Sequence, residues 1–336
     1  MVGIDAFGNA ARRRQARFRV TSSTISEQGR LPSDRQGMRH GYLLALGHED
    51  ENLYPSLRGE MGARRFFKRR GIKWHRSHRS GDTPGEAGPT RNMASSQIKC
   101  VNFLLPLTAI PGAVAAVVRA IDSDVRDIVE IAHNDNTSPV EFEWIGLECS
   151  LEGGTIRGAN NTSVDAFVVA GTATGRRAYL MEWKYTEDYR GAADKGRGDE
   201  GATRRGRYAE RYAADASAFS GAAPMEELLY EPFYQLMRLR LLADRMVSTG
   251  ELDVSEAKVV LVVPSDNTAF RNRITSPSLA SRLPTLKTVS DVMGATLKHP
   301  DQALSIISPS LLRESIEREC GVAASSWAAY QRDRYG

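Results

Sequence analysis

Three charged residues interrupt two apolar segments near the middle of the chain. Asp165 lies in VDAFVVA (164–170), and Glu182 and Lys184 lie in RAYLMEWKY (177–185). The Gly-containing sequence GTATG separates the two segments, which predicts two strands joined by a turn. Residues two apart share a face of a strand, so Glu182 and Lys184 point the same way. Pairing of the two strands would bring Asp165 to within a residue or two of them.

Two carboxylates and one ammonium at one sheet edge suit the hydrolysis of a phosphodiester. The acids supply hard oxygen ligands for Mg²⁺, which lowers the pKa of a bound water and offsets charge on the phosphate. The lysine can orient the attacking water or stabilise the developing charge. The alternative is a structural ion pair on a solvent-facing sheet, which a pattern as short as D…E-x-K also fits.

The segments around this trio predict the elements that position it. PGAVAAVVRAIDSDVRDIVEIA (111–132) has apolar residues near helical spacing, and VEFEWIGLE (140–148) alternates like a strand. PFYQLMRLRLLADRM (232–246) predicts a second helix, and the continuous apolar run KVVLVVP (258–264) predicts a strand covered on both faces. The order of helix, three strands, helix and strand predicts an α/β fold with a mixed central sheet flanked by helices.

The stretch between the lysine strand and the second helix is polar. Residues 187–207 are rich in Gly and Arg and predict a mobile segment, followed by a short helix over 207–219. Its arginines, within 195–211, could close over a bound nucleic acid, or could belong to a plain linker.

A basic block precedes the predicted core. MGARRFFKRRGIKWHRSHRS (61–80) contains eight Lys or Arg and no acid, beside aromatic residues that suit phosphate contact. A solvated basic helix face is the alternative. The candidate nucleic-acid contacts in this block and in the Arg-rich segment are Arg64, Arg65, Lys68, Arg69, Lys73, Arg204 and Arg205.

Composition sets the broad class. The chain has 336 residues, 41% hydrophobic and 26% charged, with a formal net charge of +4 and a pI near 9.0. Cys100, Cys149 and Cys320 are odd in number and lack zinc-type spacing, which argues against a disulfide framework and favours a reducing compartment. No signal-peptide pattern and no run long enough to span a membrane is evident, so we expect a cytoplasmic protein.

The arrangement D…EWK between two apolar strands resembles the PD-(D/E)XK nuclease superfamily. VDAF…LMEWKYTEDY is particularly similar to bacterial restriction-endonuclease-like proteins of that superfamily. Further similar pieces are MASSQIKCVNFLLPL, YQLMRLRLLA and LVVPSDNTAF. The resemblance implies an αβββαβ core with an N-terminal extension, and a Mg²⁺-dependent endonuclease of DNA defence or processing in which Mn²⁺ could substitute. It divides the chain into a basic N-terminal region (1–92), a nuclease-like domain (93–299) and a C-terminal helical tail (300–336).

The resemblance also assigns roles to the trio. Asp165 and Glu182 would hold the metal together with the backbone carbonyl of Trp183, and Lys184 would serve the water and the transition state. Val164 stands where many members have Pro, a position that tolerates change.

Many members use a further Glu upstream of the Asp. Glu143 matches best, because VEFEW is similar to the first strand of the related proteins, while Glu130, Glu141 and Glu148 compete for the role. Gln235 is a candidate because some members place a Gln on the helix after the lysine strand. A satisfied amide at a helix start is its alternative.

The resemblance implies DNA as the partner, and homodimers are common among related nucleases. No NTPase motif occurs, so any translocase would be a separate protein, as would a methyltransferase. Two rival functions remain at this level: a non-catalytic DNA- or protein-binding module on the same fold, and an RNA or structure-specific nuclease. Contacts to a 2′-hydroxyl, which distinguish RNA from DNA, cannot be read from the sequence.

Overall fold

The computed structural model of the chain describes residues 5–32, 34–35, 38–75, 88–133, 136–147, 149–154, 161–189 and 194–336. The α-helices of these residues are α1 Ala6–Thr21, α2 Ala63–Arg69, α3 Ser96–Leu104, α4 Ala113–Arg119, α5 Gly198–Ala213, α6 Phe233–Thr249, α7 Thr268–Arg271, α8 Pro277–Arg282, α9 Val289–Thr296, α10 Pro300–Ala303, α11 Pro309–Cys320 and α12 Ser325–Tyr335. The strands are β1 Asp34–Arg35, β2 Met38–Arg39, β3 Asp127–Val129, β4 Ile131–His133, β5 Asn136–Ser138, β6 Glu141–Trp144, β7 Val164–Gly171, β8 Arg176–Trp183, β9 Val254–Val262 and β10 Leu304–Ile307.

A mixed sheet in the order β10-β9-β8-β7-β3 forms the centre of the molecule, and β6 pairs with β7 as well. The strands β8, β9 and β10 are parallel, whereas β7 runs antiparallel to β8, β3 and β6. The fold is therefore α/β with a mixed central sheet, as the sequence predicted.

The helix α6 makes the crossover that a parallel β8–β9 pair requires. It ends at Gly250, whose positive φ of 68° lets its N–H reach the carbonyl oxygens of Met246 and Val247. The helix α6 covers all but the first residue of the predicted segment 232–246, and β9 includes most of the predicted strand 258–264.

Each face of the sheet is covered by its own hydrophobic core. Ala178 and Leu180 of β8 pack with α5, α6 and α9 on one face. Tyr179, Met181 and Trp183 pack with α2, α3, α4 and the C-terminal helices on the other face. We call the first the α6 face and the second the α3 face. The alternation along β8 fixes which of its side chains point to each.

The predicted helix over 111–132 is correct only in its first part. The helix α4 ends at Arg119, and the chain then forms β3 and β4. The β-branched Ile128 and Val129 of β3 are half-buried and pair with Ala170 and Val169 of β7 at the sheet edge, and residues of this type favour strands. Glu130 therefore lies between two strands and not on a helix.

The prediction of a mobile segment through residue 207 is wrong from residue 198 onward. The helix α5 begins at Gly198 and ends at Ala213, so the predicted short helix over 207–219 is its second half. Tyr208 and Tyr212 bury their rings in the α6-face core, which stabilises the helix despite its polar composition. Residues 190–193 of the predicted mobile segment lie outside the described part.

The C-terminal part of the chain contains more than the predicted helices. The strand β10 pairs with β9 in the central sheet, and Ser315 on α11 donates a hydrogen bond of 3.1 Å to the Ala116 carbonyl on α4. Residues after 300 thus complete the sheet and cover its α3 face. The division of the chain into three regions stays a prediction.

The three cysteines Cys100, Cys149 and Cys320 are free thiols. Within the described ranges, no helix has the length and apolar character needed to cross a membrane.

Candidate active site

The β7–β8 hairpin brings Asp165 and Glu182 face to face. Its pairs run from Gly171 opposite Arg176 to Ala166 opposite Met181, and the next step aligns Asp165 with Glu182. The backbone N–H of Trp183 donates a hydrogen bond of 2.7 Å to Asp165 Oδ2. The two carboxylates therefore meet at the end of the hairpin far from its turn, where the sequence placed them.

Lys184 completes the cluster on the α6 face. Its Nζ lies 2.6 Å from Glu182 Oε1 and donates a hydrogen bond of 2.7 Å to Gln235 Oε1 on α6. The Tyr189 hydroxyl donates to the same amide oxygen at 3.4 Å. The Gln235 amide is therefore a direct partner of the lysine, at a point where α6 crosses the open end of the hairpin.

Glu143 lies opposite Asp165 on the other side of β7. Phe142 pairs with Ala166 and Trp144 pairs with Val164, which leaves Glu143 between them with a positive φ of 49°. This is a strained conformation for a residue other than glycine.

Two neutral side chains hold the Glu143 carboxylate. Gln97 Nε2 donates to its Oε1 at 3.0 Å, and Ser163 Oγ donates to its Oε2 at 2.7 Å.

The competing upstream acids have other surroundings. Glu141 forms a buried ion pair of 2.7 Å with Arg70. Glu130 lines a surface groove beside α2, and Glu148 lies outside the described residues. Of the described candidates, the structure brings Glu143 next to Asp165.

Burial and mutual repulsion disfavour charge on the acids. Burial, followed by the charge of Asp165, raises the pKa of Glu182 well above its usual value and also raises that of Glu143. Burial raises the pKa of Asp165, although Lys184 and the Trp183 N–H oppose the shift. Burial is the largest cause of all three shifts.

Burial also disfavours the charge on Lys184. The negative charge of Glu182 outweighs this effect and holds the pKa of Lys184 well above its usual value. The lysine is therefore protonated at neutral pH.

Glu182 is buried with its hydrogen-bonding capacity unfilled. Its side chain is 1% exposed, and neither carboxylate oxygen has a hydrogen bond of acceptable geometry, although Lys184 Nζ is close to one of them. A buried carboxylate in this state is costly unless a cation compensates it. Within the described ranges, no group of three or more His, Cys, Asp and Glu side chains forms a ready metal cluster. Any cation would thus take two carboxylates, backbone and water, a set typical of Mg²⁺.

Three neighbours of the cluster were missed by the sequence. Gln97 and Ser163 hold Glu143, and Tyr189 contacts Gln235. Gln97 lies in the segment MASSQIKC and Tyr189 in the segment YTEDY, and both segments carried the family resemblance. Their polar side chains next to predicted core elements were the available signal.

The basic helix α2 is attached to the strand that carries Glu143. The rings of Phe66 and Phe67 lie 5.8 and 6.0 Å from that of Phe142 on β6, and Trp74 stacks on Phe67 at 4.0 Å. The backbone N–H of His75 donates to Gln97 Oε1 at 2.7 Å. One side chain, Gln97, thus joins the basic segment to Glu143.

The candidate phosphate contacts of this segment differ in their freedom. Lys68, Arg69 and Lys73 are exposed. Arg64 forms an ion pair of 2.6 Å with Asp50, and Arg65 is half-buried beside Met61. Residues 76–80, the rest of the predicted block, lie outside the described part.

The two candidates on α5 hold backbone. Arg204 donates to the Lys195 carbonyl at 2.9 Å, and Arg205 donates to the Gly196 carbonyl at 2.8 Å. Arg204 also pairs with Glu200 at 2.7 Å. Both guanidinium groups therefore have a structural role in anchoring the segment before α5.

The mixed sheet with its helical layers is compatible with a restriction-endonuclease-like fold. A family model described as Restriction Endonuclease associating with ARP matches residues 12–336, and the chain belongs to this family. The comparisons with curated proteins and with solved structures give no match.

Proposed function

We propose that this protein is a Mg²⁺-dependent endonuclease of the PD-(D/E)XK type that hydrolyses phosphodiester bonds of DNA. The observation that supports it most is the meeting of Asp165, Glu182 and Lys184 on one face of the β7–β8 hairpin. The alternative interpretation, a structural ion pair on a solvent-facing sheet, does not fit the burial of these residues, because Glu182 and Lys184 are 1% and 6% exposed.

The donor set fits a hard divalent cation. Asp165, Glu182 and the backbone carbonyl of Trp183 would hold Mg²⁺, and the hydrogen-bond-deficient oxygens of Glu182 support this choice. When bound, the metal supplies an activated water and offsets negative charge on the phosphate. Mn²⁺ has similar ligand preferences and would substitute.

The protein's own side chains would orient the attacking water and polarise the phosphate. The protonated Lys184, held between Glu182 and Gln235, is positioned to donate a hydrogen bond to a phosphate oxygen or to the attacking water. Gln97 and Ser163 hold the Glu143 carboxylate beside Asp165, where it can accept a proton from water. The exposed Lys68, Arg69 and Lys73 would contact backbone phosphates flanking the cut.

Cleavage assays test the proposal. The wild-type protein is incubated with supercoiled plasmid, single-stranded DNA and RNA in the presence of Mg²⁺, Mn²⁺ or EDTA. Asp165→Asn and Lys184→Met are compared with Lys287→Met, which removes an exposed lysine outside the cluster. We expect metal-dependent cutting of DNA that both cluster variants lose and the control keeps.

Other outcomes select the rivals. Cutting of RNA alone would change the proposed substrate from DNA to RNA. Retained DNA binding without metal-dependent cutting would favour the non-catalytic module. Full activity of Lys184→Met would remove that lysine from the mechanism.

The family description names an association with ARP, and we extend that association to this chain. A homodimer, a separate methyltransferase and a separate translocase stay predictions. Co-expression with an ARP protein, followed by size-exclusion chromatography, tests the ARP complex and the homodimer, because both would elute ahead of the monomer.

A further inference from the structure

A cavity of about 420 Å³ lies beyond the carboxyl ends of the parallel strands, apart from the acid–lysine cluster. Its walls include Pro264–Asp266 after β9, and Pro309 and Ser310 after β10. Ligands of open α/β sheets bind in crevices outside the carboxyl ends of parallel strands. The location therefore suits a ligand site.

Lys99 is the most unusual group in this cavity. The residue is 3% exposed, and within the described part of the chain its ammonium has neither a hydrogen bond nor an ion pair. Its Nζ lies 4.0 Å from the ring centre of Tyr185 and 5.3 Å from that of Tyr335. A buried ammonium without an anion is costly, so an anionic ligand would relieve the cost.

Further features of the cavity favour an anion. Arg14, which also donates a hydrogen bond of 3.3 Å to the Tyr335 carbonyl, and Arg313, which lies 3.7 Å from Glu317, line it with Lys99, and Asp266 is the one acidic side chain of the wall. The first turn of α11, a helix of 12 residues, also forms part of the wall through Ser310. The N-terminus of a helix attracts negative charge, and the backbone N–H of Ser310 can bind phosphate, whereas Pro309 has no N–H and the N–H of Leu311 is capped by Ser308.

The rest of the wall suits a planar ring. Phe7, Phe103 and Tyr335 line the cavity together with two prolines. Its volume lies in the range of roughly 300–1,000 Å³ that small-molecule sites occupy. Aromatic faces beside cations are the combination that binds a nucleobase and its phosphate together.

We propose that this cavity binds the phosphomonoester of a nucleotide, with Lys99, Arg14 and the first turn of α11 at the phosphate and the aromatic side chains at the base. The ligand is either a free mononucleotide or the 5′-phosphorylated end of a nucleic-acid strand, which share this chemistry. Burial lowers the pKa of Lys99 to about 7, and a bound phosphate would restore its full charge.

Calorimetric titration of the full chain tests the proposal. The probes are dAMP and deoxyadenosine, and all titrations contain EDTA, so the result does not depend on cleavage. We expect dAMP to bind about tenfold or more tightly than deoxyadenosine, since a charge-assisted contact is lost without the phosphate. We expect a loss of similar size for dAMP in Lys99→Met, and unchanged binding in Lys287→Met.

A second pair of probes separates the two sources. A 5′-phosphorylated oligonucleotide is compared with the same strand lacking the phosphate. A preference for the phosphorylated strand that Lys99→Met abolishes would assign the site to strand ends, and binding of dAMP alone would assign it to free nucleotides.

Arg313→Gln serves as an independent variant, and thermal melting confirms that each variant is folded. Equal affinity for dAMP and deoxyadenosine, undiminished binding in both Lys99→Met and Arg313→Gln, or no binding of any phosphate probe would overturn the proposal.

Discussion

The amide of Gln235 fixes the position of the Lys184 ammonium by accepting its hydrogen bond at 2.7 Å. Glu182 attracts the same ammonium, so the two contacts together determine where it points. Gln235 touches no proposed metal ligand and would act through the lysine. This makes it a positioning residue whose loss should change rate more than binding.

We expect Gln235→Leu to lower kcat roughly 10- to 100-fold with little change in KM, because a displaced lysine still leaves the DNA contacts intact. Steady-state cleavage of a fluorescent duplex measures both constants. Gln302→Leu, which removes an exposed glutamine, is the control. A loss of DNA affinity of this size with an unchanged kcat would contradict the positioning role.

Lys99 gives the protein a pH-dependent stability. Burial is the main cause that lowers its pKa from 10.5 to about 7, with Arg14 adding repulsion, while Asp266 and Glu187 oppose the shift. Between about pH 7 and 10 the unfolded chain therefore binds a proton that the folded protein releases. The free energy of unfolding rises with pH across this window, and the cost of the charged lysine is fully present below it.

We expect Lys99→Met to melt at a higher temperature than the wild type at pH 6, and the gap to narrow by pH 9.5, as the lysine in the wild type loses its charge. Thermal unfolding followed by circular dichroism measures the gap at each pH. A gap that is constant with pH, or a variant that is less stable at pH 6, would show that the lysine keeps a charge partner in solution.

Strand periodicity predicted the position of the trio, whereas the preference for Glu143 as the upstream acid came from the family resemblance. Strand alternation and the length of the hairpin were enough to align Asp165 with Glu182. The choice between Glu141 and Glu143 depended on Arg70, which pairs with Glu141 from far away in the sequence. It also depended on the positive φ of Glu143, which no local pattern indicated.

At the scale of elements, α2 combines two surfaces with different tasks. Phe66 and Phe67 attach it to β6, while Lys68 and Arg69 face solvent. Lys73 follows the helix and is also exposed. The exposed cations lie beside the strand that carries Glu143. This position favours phosphate contact over a plain solvated helix face.

We expect the triple variant Lys68→Gln, Arg69→Gln, Lys73→Gln to reduce the salt dependence of DNA binding by about two to three units in log K against log [salt], since each phosphate contact contributes about 0.9. Fluorescence anisotropy in EDTA at several salt concentrations measures the slope. The control neutralises three exposed cations elsewhere, Arg13, Arg17 and Lys287. The same slope in both triple variants would mean that α2 makes no specific phosphate contact.

The sequence predicted the elements that have a single hydrophobic periodicity. It did not predict the elements whose conformation depends on residues distant in the sequence. The segments that form β7, β8, α6 and β9 read correctly because their periodicity agrees with their final surroundings. Residues 120–132 continue a helical pattern, but β3 pairs with β7 and β4 pairs with β5 instead. The first half of α5 reads as a polar linker, because the large side chains that the helix buries, Tyr208 and Tyr212, both lie in its second half.

At the scale of the whole molecule, a buried polar network joins α1 and α12 to the core. Arg334 is fully buried and donates hydrogen bonds to the Asn52 side chain and carbonyl, to the Tyr330 hydroxyl and to Gln15 Oε1. Gln15 in turn donates to the Tyr185 hydroxyl at 3.0 Å. The network thus reaches the residue that follows Lys184.

We expect Arg334→Met to destabilise the protein by about 2–4 kcal/mol, because several buried acceptors lose their donor at once. Urea unfolding gives the free energy, and Arg13→Met, an exposed arginine of α1, is the control. A loss below about 0.5 kcal/mol, the usual range for a surface substitution, would show that the network contributes little to stability.

The position of β8 between two hydrophobic cores has a consequence for the timescale on which the site can open. Amide protons of Met181 and Glu182 should exchange with solvent only when the whole molecule unfolds, since neighbouring strands cover β8 on both sides. The amides of α2, a helix of seven residues with Lys68 and Arg69 exposed to solvent, should exchange through smaller local openings. The cleaving groups would then stay aligned through the fluctuations that let the surrounding surface adapt to its substrate.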